Sequence, residues 1–397
     1  MYMNMLMGTN QAGFKKDTVY RFLNSIHINW IRFTTWLSAQ IINETITGLT
    51  SDKRVNVLIV DDSLFERSSS KKVELLAKVY DHAKKTYKYG FRLLTLGWSD
   101  GNTFLPVNGC LLSTENQKNR INEAITMDKR SAGYLRRNLA QTKATAVVLE
   151  LIKAAKKAMI PASYVLFDTW FCSPSSLIAI KEMGYDIIAM AKKTSKMHYL
   201  YNGIMQPLTA IYKQNRKRRG RSRYLLSVEV SLEKDGKSIP ARIVFVRNKN
   251  KRKDYLALIT TDMNLNEDEI IRIYGKRWDI EVFFKVCKSY LKLSKECNSL
   301  SYDAMTAHTA IVFTRYMMLA LENRRSSDLR TMGEIFYYIQ DEMSDITLIQ
   351  AFHLLMQVFL DTIADKLSLT SEQLDQLLNA FMAAIPKELK ERLPMCA

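Results

Sequence analysis

Two apolar runs that each end at an aspartate do most to limit the fold of this chain. Residues 55–60 form a largely apolar and β-branched run, and residues 164–167 form a second apolar run, so both are predicted to be buried strands. Asp61 follows the first run and Asp168 follows the second. Side chains at strand ends of an α/β sheet emerge from the core into a cleft. We therefore expect these two carboxylates to share a site, with Asp62 left open as an alternative to Asp61.

The segments around these runs predict an α/β order of elements. Helices are expected in the first 50 residues and from about residue 301 onward, and a turn at Ser99–Asp100–Gly101–Asn102 is typical of a hairpin. Ser173 followed by Pro174 is a helix start signal. The other predicted elements are strands over residues 87–97, 104–112 and 187–191 and one long helix over residues 132–159.

Positive charge is concentrated in one part of the chain. The 397 residues carry a formal net charge of +18, and residues 192–253 hold 18 Lys and Arg against three acids. Strand-like runs at 224–232, 241–246 and 255–260 alternate with the basic loops, so we expect a folded basic sheet that binds nucleic-acid phosphates. The alternative is a pair of solvated loops. The densest cluster is Arg216, Lys217, Arg218, Arg219, Arg221 and Arg223.

A third acid lies in a polar stripe near residue 280. Tyr274, Arg277, Glu281 and Lys288 are spaced so that, at about 100° per residue, they fall within roughly 60° of one helix face. A single helix is therefore predicted to present one carboxylate between two cations and a phenol. The simpler alternative is a solvated face with an Arg277–Glu281 pair at i,i+4.

Three carboxylates in one cleft require a cation. Asp61, Asp168 and Glu281 would repel one another unless they were neutralised. Hard oxygen ligands without His or Cys suit Mg²⁺ or Mn²⁺. Two such ions about 4 Å apart can activate a water or a 3′-OH and stabilise the leaving oxygen of a phosphodiester.

Other sequence features narrow the class of protein. The five Cys show no paired metal-ligand spacing and fit a reducing cytoplasm. No signal peptide is recognised, and the longest apolar stretch, residues 310–321, is interrupted by Arg315 and is too short to span a bilayer. The Gly-x4-Gly-Lys-Ser/Thr motif of ATP-binding loops is absent. We expect a cytoplasmic protein that associates with the nucleoid through DNA and makes no membrane contact.

Three segments resemble those of a known family. Residues 59–63, 165–169 and 274–288 are similar to the motifs of bacterial insertion-sequence DDE transposases, in the branch with the Tyr-Arg-Glu-Lys signature. The resemblance implies an α/β fold with a ribonuclease H-like catalytic core, a β-rich insertion and helical regions at both ends. The implied regions are 1–50 (helical, with possible DNA contact), 51–192 (core), 193–261 (basic insertion), 262–295 (core, acidic helix) and 296–397 (helical).

The same resemblance implies a reaction and its partners. Asp61, Asp168 and Glu281 would bind two Mg²⁺ or Mn²⁺ ions, and Tyr274, Arg277 and Lys288 would grip DNA beside the cleavage site. The expected activity is cut-and-paste transposition, with cleavage at transposon ends and strand transfer into target DNA. A homodimer synapsed with double-stranded DNA is the expected assembly. Two alternatives stay open: a catalytically inactive or regulatory DNA-binding protein derived from a transposase, and a hydrolytic nuclease on the same fold.

Overall fold

A computed structural model describes most of the chain between residues 14 and 325. Within that range it leaves out residues 52, 53, 70, 82, 83, 219–221, 249, 250, 252 and 253. Phe14–Phe336 form one compact unit, which contains every element discussed below. The other unit, Met1–Gly13 with Tyr337–Ala397, is described only at isolated helical positions, namely 359, 363, 372, 373, 376, 379 and 380.

The described residues form helices and strands in alternation. The helices are α1 (Lys16–Leu23), α2 (Trp30–Ile41), α3 (Ala132–Ala140), α4 (Ala144–Lys157), α5 (Pro174–Glu182), α6 (Leu208–Gln214), α7 (Glu267–Gly275), α8 (Trp278–Ser289) and α9 (Tyr302–Arg325). The strands are β1 (Val57–Glu66), β2 (Ala77–Asp81), β3 (Thr86–Ser99), β4 (Phe104–Leu112), β5 (Tyr164–Phe167), β6 (Asp186–Met190), β7 (His198–Tyr201), β8 (Ile204–Pro207), β9 (Tyr224–Lys234), β10 (Lys237–Arg247) and β11 (Tyr255–Thr260).

All of these strands belong to one large, mostly antiparallel sheet. Its order is β2-β3-β1-β5-β6-β11-β10-β9-β7-β8, and β4 pairs with β3. The pairs β1–β5 and β5–β6 are parallel. The basic strands predicted over 224–260 are present, and β11 joins them to β6 in the same sheet. The structure is therefore a mixed α/β arrangement with helices on a continuous sheet.

Several predicted elements are confirmed. The strands over 104–112 and 164–167 have the predicted bounds, and the hairpin turn lies between Ser99 and Phe104. Ser173 caps α5 because its side chain accepts a hydrogen bond from the backbone N–H of Ser176. These features depend on local composition, which the sequence displays directly.

The first strand is longer than predicted. It was expected to end at Asp61, but β1 continues to Glu66. The antiparallel pairing with β3 extends from Val57 to Glu66, while the parallel pairing with β5 is limited to the segment that ends at Ile59. Asp61 therefore lies within a strand and not in a loop. At this position β1 still pairs with β3 but no longer pairs with β5.

The predicted helix over 132–159 is wrong as a single element. It is divided into α3 and α4, with Gln141 closing α3. The side chains of Gln141 and Thr142 donate to the carbonyl oxygens of Arg137 and Asn138. These bonds satisfy carbonyls at the end of α3, so the helix stops there.

A buried aromatic cluster fixes α8 on the sheet. The ring of Phe283 lies 5.1 Å from Phe104 of β4 and 5.4 Å and 4.8 Å from Phe313 and Tyr316 of α9. Full burial of one such ring stabilises the fold by roughly 1.5–3 kcal/mol. This packing sets the face of α8 that remains available for polar side chains. No helix of the described residues is long and apolar enough to cross a membrane.

Candidate active site

Asp61 and Asp168 are brought together by the register of two parallel strands. Val57, Leu58 and Ile59 of β1 pair with Tyr164, Val165 and Leu166 of β5. The same register, continued along both chains, sets Asp61 opposite Asp168, directly after β5 ends. The two aspartates predicted to share a site are thus neighbours across the sheet.

The Asp61 carboxyl group is largely buried, and this burial raises its pKa. Only 17% of its side chain is exposed. Burial raises the pKa of Asp61 to about 7, and the negative charge of Asp168 adds to this effect. The backbone N–H of Asp62, which donates to Asp61 Oδ1 at 2.8 Å, and the Arg277 guanidinium lower the pKa without cancelling the shift. The site would therefore hold a further cation favourably.

Arg277 connects two of the three acids. Its Nη1 donates to Asp61 Oδ2 at 3.1 Å, and its Nη2 donates to Glu281 Oε1. The i,i+4 pair with Glu281 that the sequence allowed is formed, and the same guanidinium also reaches across to β1. The side chains of Arg277 and Asp61 are 16% and 17% exposed and that of Glu281 is 35% exposed, so the bond to Asp61 is the better shielded of the two.

Lys288 makes a second contact between α8 and β1. Its Nζ donates to Ser63 Oγ at 2.6 Å, and burial lowers the pKa of Lys288. Asp61 and Ser63 point to the same face of β1 because alternate residues of a strand share a face. Arg277 and Lys288 therefore both approach that face from the side of α8.

Asp62 points to the other face of β1. Arg92 Nη1 of β3 donates to Asp62 Oδ1 at 3.0 Å. The sequence left Asp61 and Asp62 as alternatives, and alternation along the strand separates them. Sequence reasoning included Ser63 in the motif over residues 59–63 but foresaw no contact between Ser63 and Lys288, and it did not assign Arg92 to this region. Because β1 was expected to end at Asp61, the alternation of side chains along a strand, which puts Asp61 and Ser63 on one face, was not extended to Ser63.

Tyr274 belongs to a different helix from Glu281, so the prediction of one helix is wrong. Helix α7 ends at Gly275 and α8 begins at Trp278. Glycine weakens a helix, and the Lys276 ammonium is held by the carbonyl oxygens of Val55 and Asp100. Burial raises the pKa of Tyr274, and its hydroxyl lies close to Arg277 without a well-formed hydrogen bond to any described residue.

The arginine cluster lies away from the acids. Arg216 and Arg218 line an open groove of about 610 Å³ between β9 and the loop before α7. In the sheet, β9 is four strands from β5, so these two strands are roughly 19 Å apart. Helix α7 joins the two sites, with the groove at its N-terminus and Tyr274 at its C-terminal end. Arg219 and Arg221 lie outside the described residues.

Part of the charge in the groove is already compensated. Arg242 forms an ion pair with Glu229 at 3.0 Å, and the exposed Arg223 lies 3.7 Å from Asp268. The Arg218 guanidinium stacks over the Tyr224 ring at 4.3 Å. The groove therefore combines cations, acids and an aromatic ring, and is less positive than its arginine content alone indicates.

The acids fit a divalent ion by their donor chemistry. Asp61, Asp168 and Glu281 offer only carboxylate oxygens, which Mg²⁺ and Mn²⁺ prefer. Among the described residues, however, no three such side chains are grouped as metal ligands. Arg277 bonds to two of the acids and supplies the positive charge there. Binding of an ion would require at least one of these bonds to open.

A family match accompanies this geometry. The sequence model of the family described as DDE superfamily endonuclease matches residues 3–247, which is more than half of the chain. The chain belongs to this family. The match includes Asp61 and Asp168 and ends before α7 and α8, so it does not extend to the Tyr-Arg-Glu-Lys signature. Curated proteins give no significant match to the sequence.

Membership in the DDE superfamily gives the general activity of the chain. Enzymes of this superfamily are nucleases and transposases that act on DNA, and they generally use divalent metal ions. Asp61 and Asp168, which follow the paired segments of β1 and β5, lie within the matched segment. The site described here is therefore the candidate active centre of a DDE endonuclease.

The raised pKa of Asp61 predicts a pH-dependent difference in stability. Without added metal, the wild-type protein should lose stability relative to Asp61→Asn as the pH rises from 3.8 to about 7. In this window the folded protein keeps a proton that the unfolded chain has released, because the pKa is raised from 3.8 to about 7. The free energy of unfolding therefore falls with pH. Urea unfolding of both proteins in EDTA, at the two ends of the window, measures the effect; parallel profiles would contradict it.

Proposed function

We propose that this DDE family member is a DNA transposase. It would cleave DNA at the ends of an insertion sequence and join those ends to target DNA by a cut-and-paste reaction. The observation that carries the proposal is the link from Asp61 through Arg277 to Glu281, which joins a strand of the sheet to α8 beside Asp168. Three carboxylates of this kind are suited to a metal-dependent phosphodiester reaction.

The order of the strands supports a ribonuclease H-like core for this enzyme. Strands β3 and β4 run as an antiparallel hairpin beside β1, and β5 and β6 follow on its other side in parallel. We assign the core to residues 51–192 and 262–295 and the β-rich insertion to residues 193–261. This insertion would join the core through the pairing of β11 with β6, so its basic strands would share one sheet with the acids.

Each polar residue of the site has a proposed task. Asp61, Asp168 and Glu281 would hold two Mg²⁺ or Mn²⁺ ions, and the bound ions would supply activation of a water or 3′-OH and stabilisation of the leaving oxygen. Once released from a carboxylate, the planar fork of Arg277 can take two phosphate oxygens. Lys288 would hold the next phosphate, and Tyr274 would position the backbone.

The partners follow from the same proposal. The enzyme would bind double-stranded DNA both at the transposon ends and at the target. Arg216, Arg218, Arg219 and Arg221 would add non-specific affinity through phosphate contacts. We assign the synapsed form to a homodimer, in which each copy holds one DNA end.

A cleavage and joining assay tests the proposed function. The purified protein is incubated with DNA that carries both ends of the element encoding it, with Mg²⁺ or with EDTA. We expect metal-dependent nicks at the ends, hairpin or double-strand breaks, and products joined to target DNA. Cleavage without joining would identify a hydrolytic nuclease instead. Binding without any cleavage, under conditions where the protein is folded, would identify an inactive or regulatory DNA-binding protein.

Replacement of Arg277 by lysine tests the task of the guanidinium. Lysine keeps the charge but lacks the planar fork through which the guanidinium bonds to two acids by separate nitrogens, or to two phosphate oxygens in parallel. We expect Arg277→Lys to reduce the cleavage rate more than it reduces DNA affinity. A gel-shift titration and a single-turnover cleavage assay on the same DNA measure the two effects. If Arg277 only stabilises α8, both quantities should change little, and the loss should appear in thermal stability.

A further inference from the structure

The hairpin formed by β2 and β3 extends the active-site face of the sheet. Paired residues of antiparallel strands share a face, and Phe65, on the same face of β1 as Asp61, pairs with Phe91 of β3. Tyr89 and Tyr87 follow on that face by alternation. This face therefore carries the carboxylates at one end and the hairpin tyrosines at the other, with the fully buried Phe65 and Phe91 between them.

Strand β2 adds matching groups to this face. Lys78 pairs with Tyr89, and Tyr80 pairs with Tyr87. The rings of Tyr80 and Tyr87 meet edge to face at 5.2 Å, and Lys78 Nζ lies 5.4 Å from the centre of the Tyr87 ring. Tyr87 is 58% exposed despite these contacts. An exposed phenol ring held between a second ring and a cation is a preformed stacking surface.

Contacts on both sides of the sheet tie the hairpin to the active site. Arg92 bonds to Asp62 through one nitrogen and to the carbonyl oxygen of Tyr80 through the other. Lys288 of α8 bonds to Ser63, and Ser63 pairs with Leu93 of β3, so the end of α8 lies over the strand that continues into the hairpin. A strand of DNA leaving the carboxylates past Lys288 would meet the hairpin next.

We propose that this hairpin face is a DNA-binding surface for an unpaired strand beside the cleavage site. The proposal rests on the proposed function for the location of the cleavage site. Basic residues that follow a backbone, combined with rings that stack on bases, are the means by which proteins bind single strands. A duplex hides the faces of its bases, whereas an unpaired strand offers them to Tyr87. The residues of this surface are Lys78, Tyr80, Lys84, Lys85, Tyr87 and Tyr89.

Lys84 and Lys85 supply the electrostatic part of the surface. Both side chains are exposed on the segment between β2 and β3. Each phosphate contact to a single strand contributes about 0.7 to the slope of log K on log salt. Removal of both lysines should therefore reduce that slope by about 1.4.

Binding in EDTA tests the proposal without any cleavage. The probe is a fluorescein-labelled single strand of about 16 nucleotides, with a duplex of equal length as comparison. We expect Tyr87→Ala to weaken single-strand binding about tenfold, Tyr87→Phe to keep it within about twofold, and duplex binding to change less. Thermal unfolding of each variant shows that the fold is retained.

A charge-matched variant provides the control for the lysines. Lys153 and Lys157 are exposed on α4. Helix α4 lies on the face of the sheet opposite to Asp61. Its Leu151 carbonyl oxygen accepts a hydrogen bond from Asn108. Asn108 pairs with Leu96, which pairs with Val60, and Val60 points away from the Asp61 face. Lys153→Ala with Lys157→Ala should leave the slope nearly unchanged, while Lys84→Ala with Lys85→Ala should reduce it.

The outcomes separate this surface from the proposed function. Equal slopes in the two double variants, or unchanged single-strand affinity in Tyr87→Ala, would overturn the hairpin surface even in an active transposase. A larger loss on the duplex than on the single strand would also overturn it. Conversely, absence of cleavage in the wild-type protein would reject the proposed function and leave the measured binding surface intact.

Discussion

Asp61→Asn should lower metal-dependent DNA cleavage by roughly a thousandfold or more, which corresponds to about 4 kcal/mol of transition-state stabilisation. Asparagine keeps the shape of the side chain but removes the negative charge that would hold a divalent ion. Asp168→Asn and Glu281→Gln should have effects of similar size, since the three acids act on one site. DNA binding, measured by gel shift in EDTA, should be largely retained. Single-turnover cleavage of end-containing DNA is the measurement.

Asp62→Asn is the matched control for this prediction. Asp62 is the next residue of the same strand, but it points to the opposite face and pairs with Arg92 at 3.0 Å. Its replacement should leave most of the cleavage activity. Full activity in Asp61→Asn together with loss in Asp62→Asn would assign the first metal ligand to Asp62. Full activity in Glu281→Gln would remove Glu281 from the catalytic group.

Arg137→Met should destabilise the folded protein by about 3–5 kcal/mol, the range found when one partner of a buried ion pair is removed. Only 1% of Arg137 is exposed. Its guanidinium bonds to both oxygens of Glu74 and both oxygens of Asp303. Methionine fills similar space without charge, so both acids would remain buried; Asp303 would keep its bond to Arg136, whereas Glu74 would keep only the backbone N–H donors of Ile125 and Tyr302 among the bonds described. Denaturant unfolding, followed by circular dichroism, measures the loss.

Arg130→Met is the control for this second prediction. Arg130 forms an ion pair with Asp128 at 3.0 Å, but both side chains are strongly exposed. Exposed pairs contribute little because water screens them, so the midpoint of unfolding should hardly move. A similarly small change in Arg137→Met would mean that the buried acids find other compensation. The network joins α3, α9 and the segment before β2, so the same variant should loosen these three elements together.

Much of the catalytic candidate set could be predicted from sequence because it depends on short-range patterns. The apolar run that ends at Asp168 forms β5 with the predicted bounds, and Ser173 caps the next helix as expected. Asp61 follows the apolar part of β1, where burial decreases along the strand. The i,i+4 spacing of Arg277 and Glu281 allowed an ion pair as the simpler alternative, and the structure contains that pair.

Other features depend on partners that are distant in the chain. The extension of β1 to Glu66 requires pairing with β3, and the union of the basic strands with the core requires β11 to pair with β6. The break between α7 and α8 accompanies the anchoring of Lys276 by Val55 and Asp100. None of these partners is visible within a local window of sequence.

The sequence by itself determined which residues could form the site: acids after apolar strands, and cations at helical spacing from Glu281. The tertiary structure decided how those residues meet. It set Asp61 and Asp62 on opposite faces, because β1 continues as a strand and alternates. It also placed Arg277 between Asp61 and Glu281, because packing of Phe283 against Phe104 holds α8 across β1. The sequence specifies the chemistry of each side chain, whereas the distances between side chains that are remote in the chain depend on strand register and helix packing.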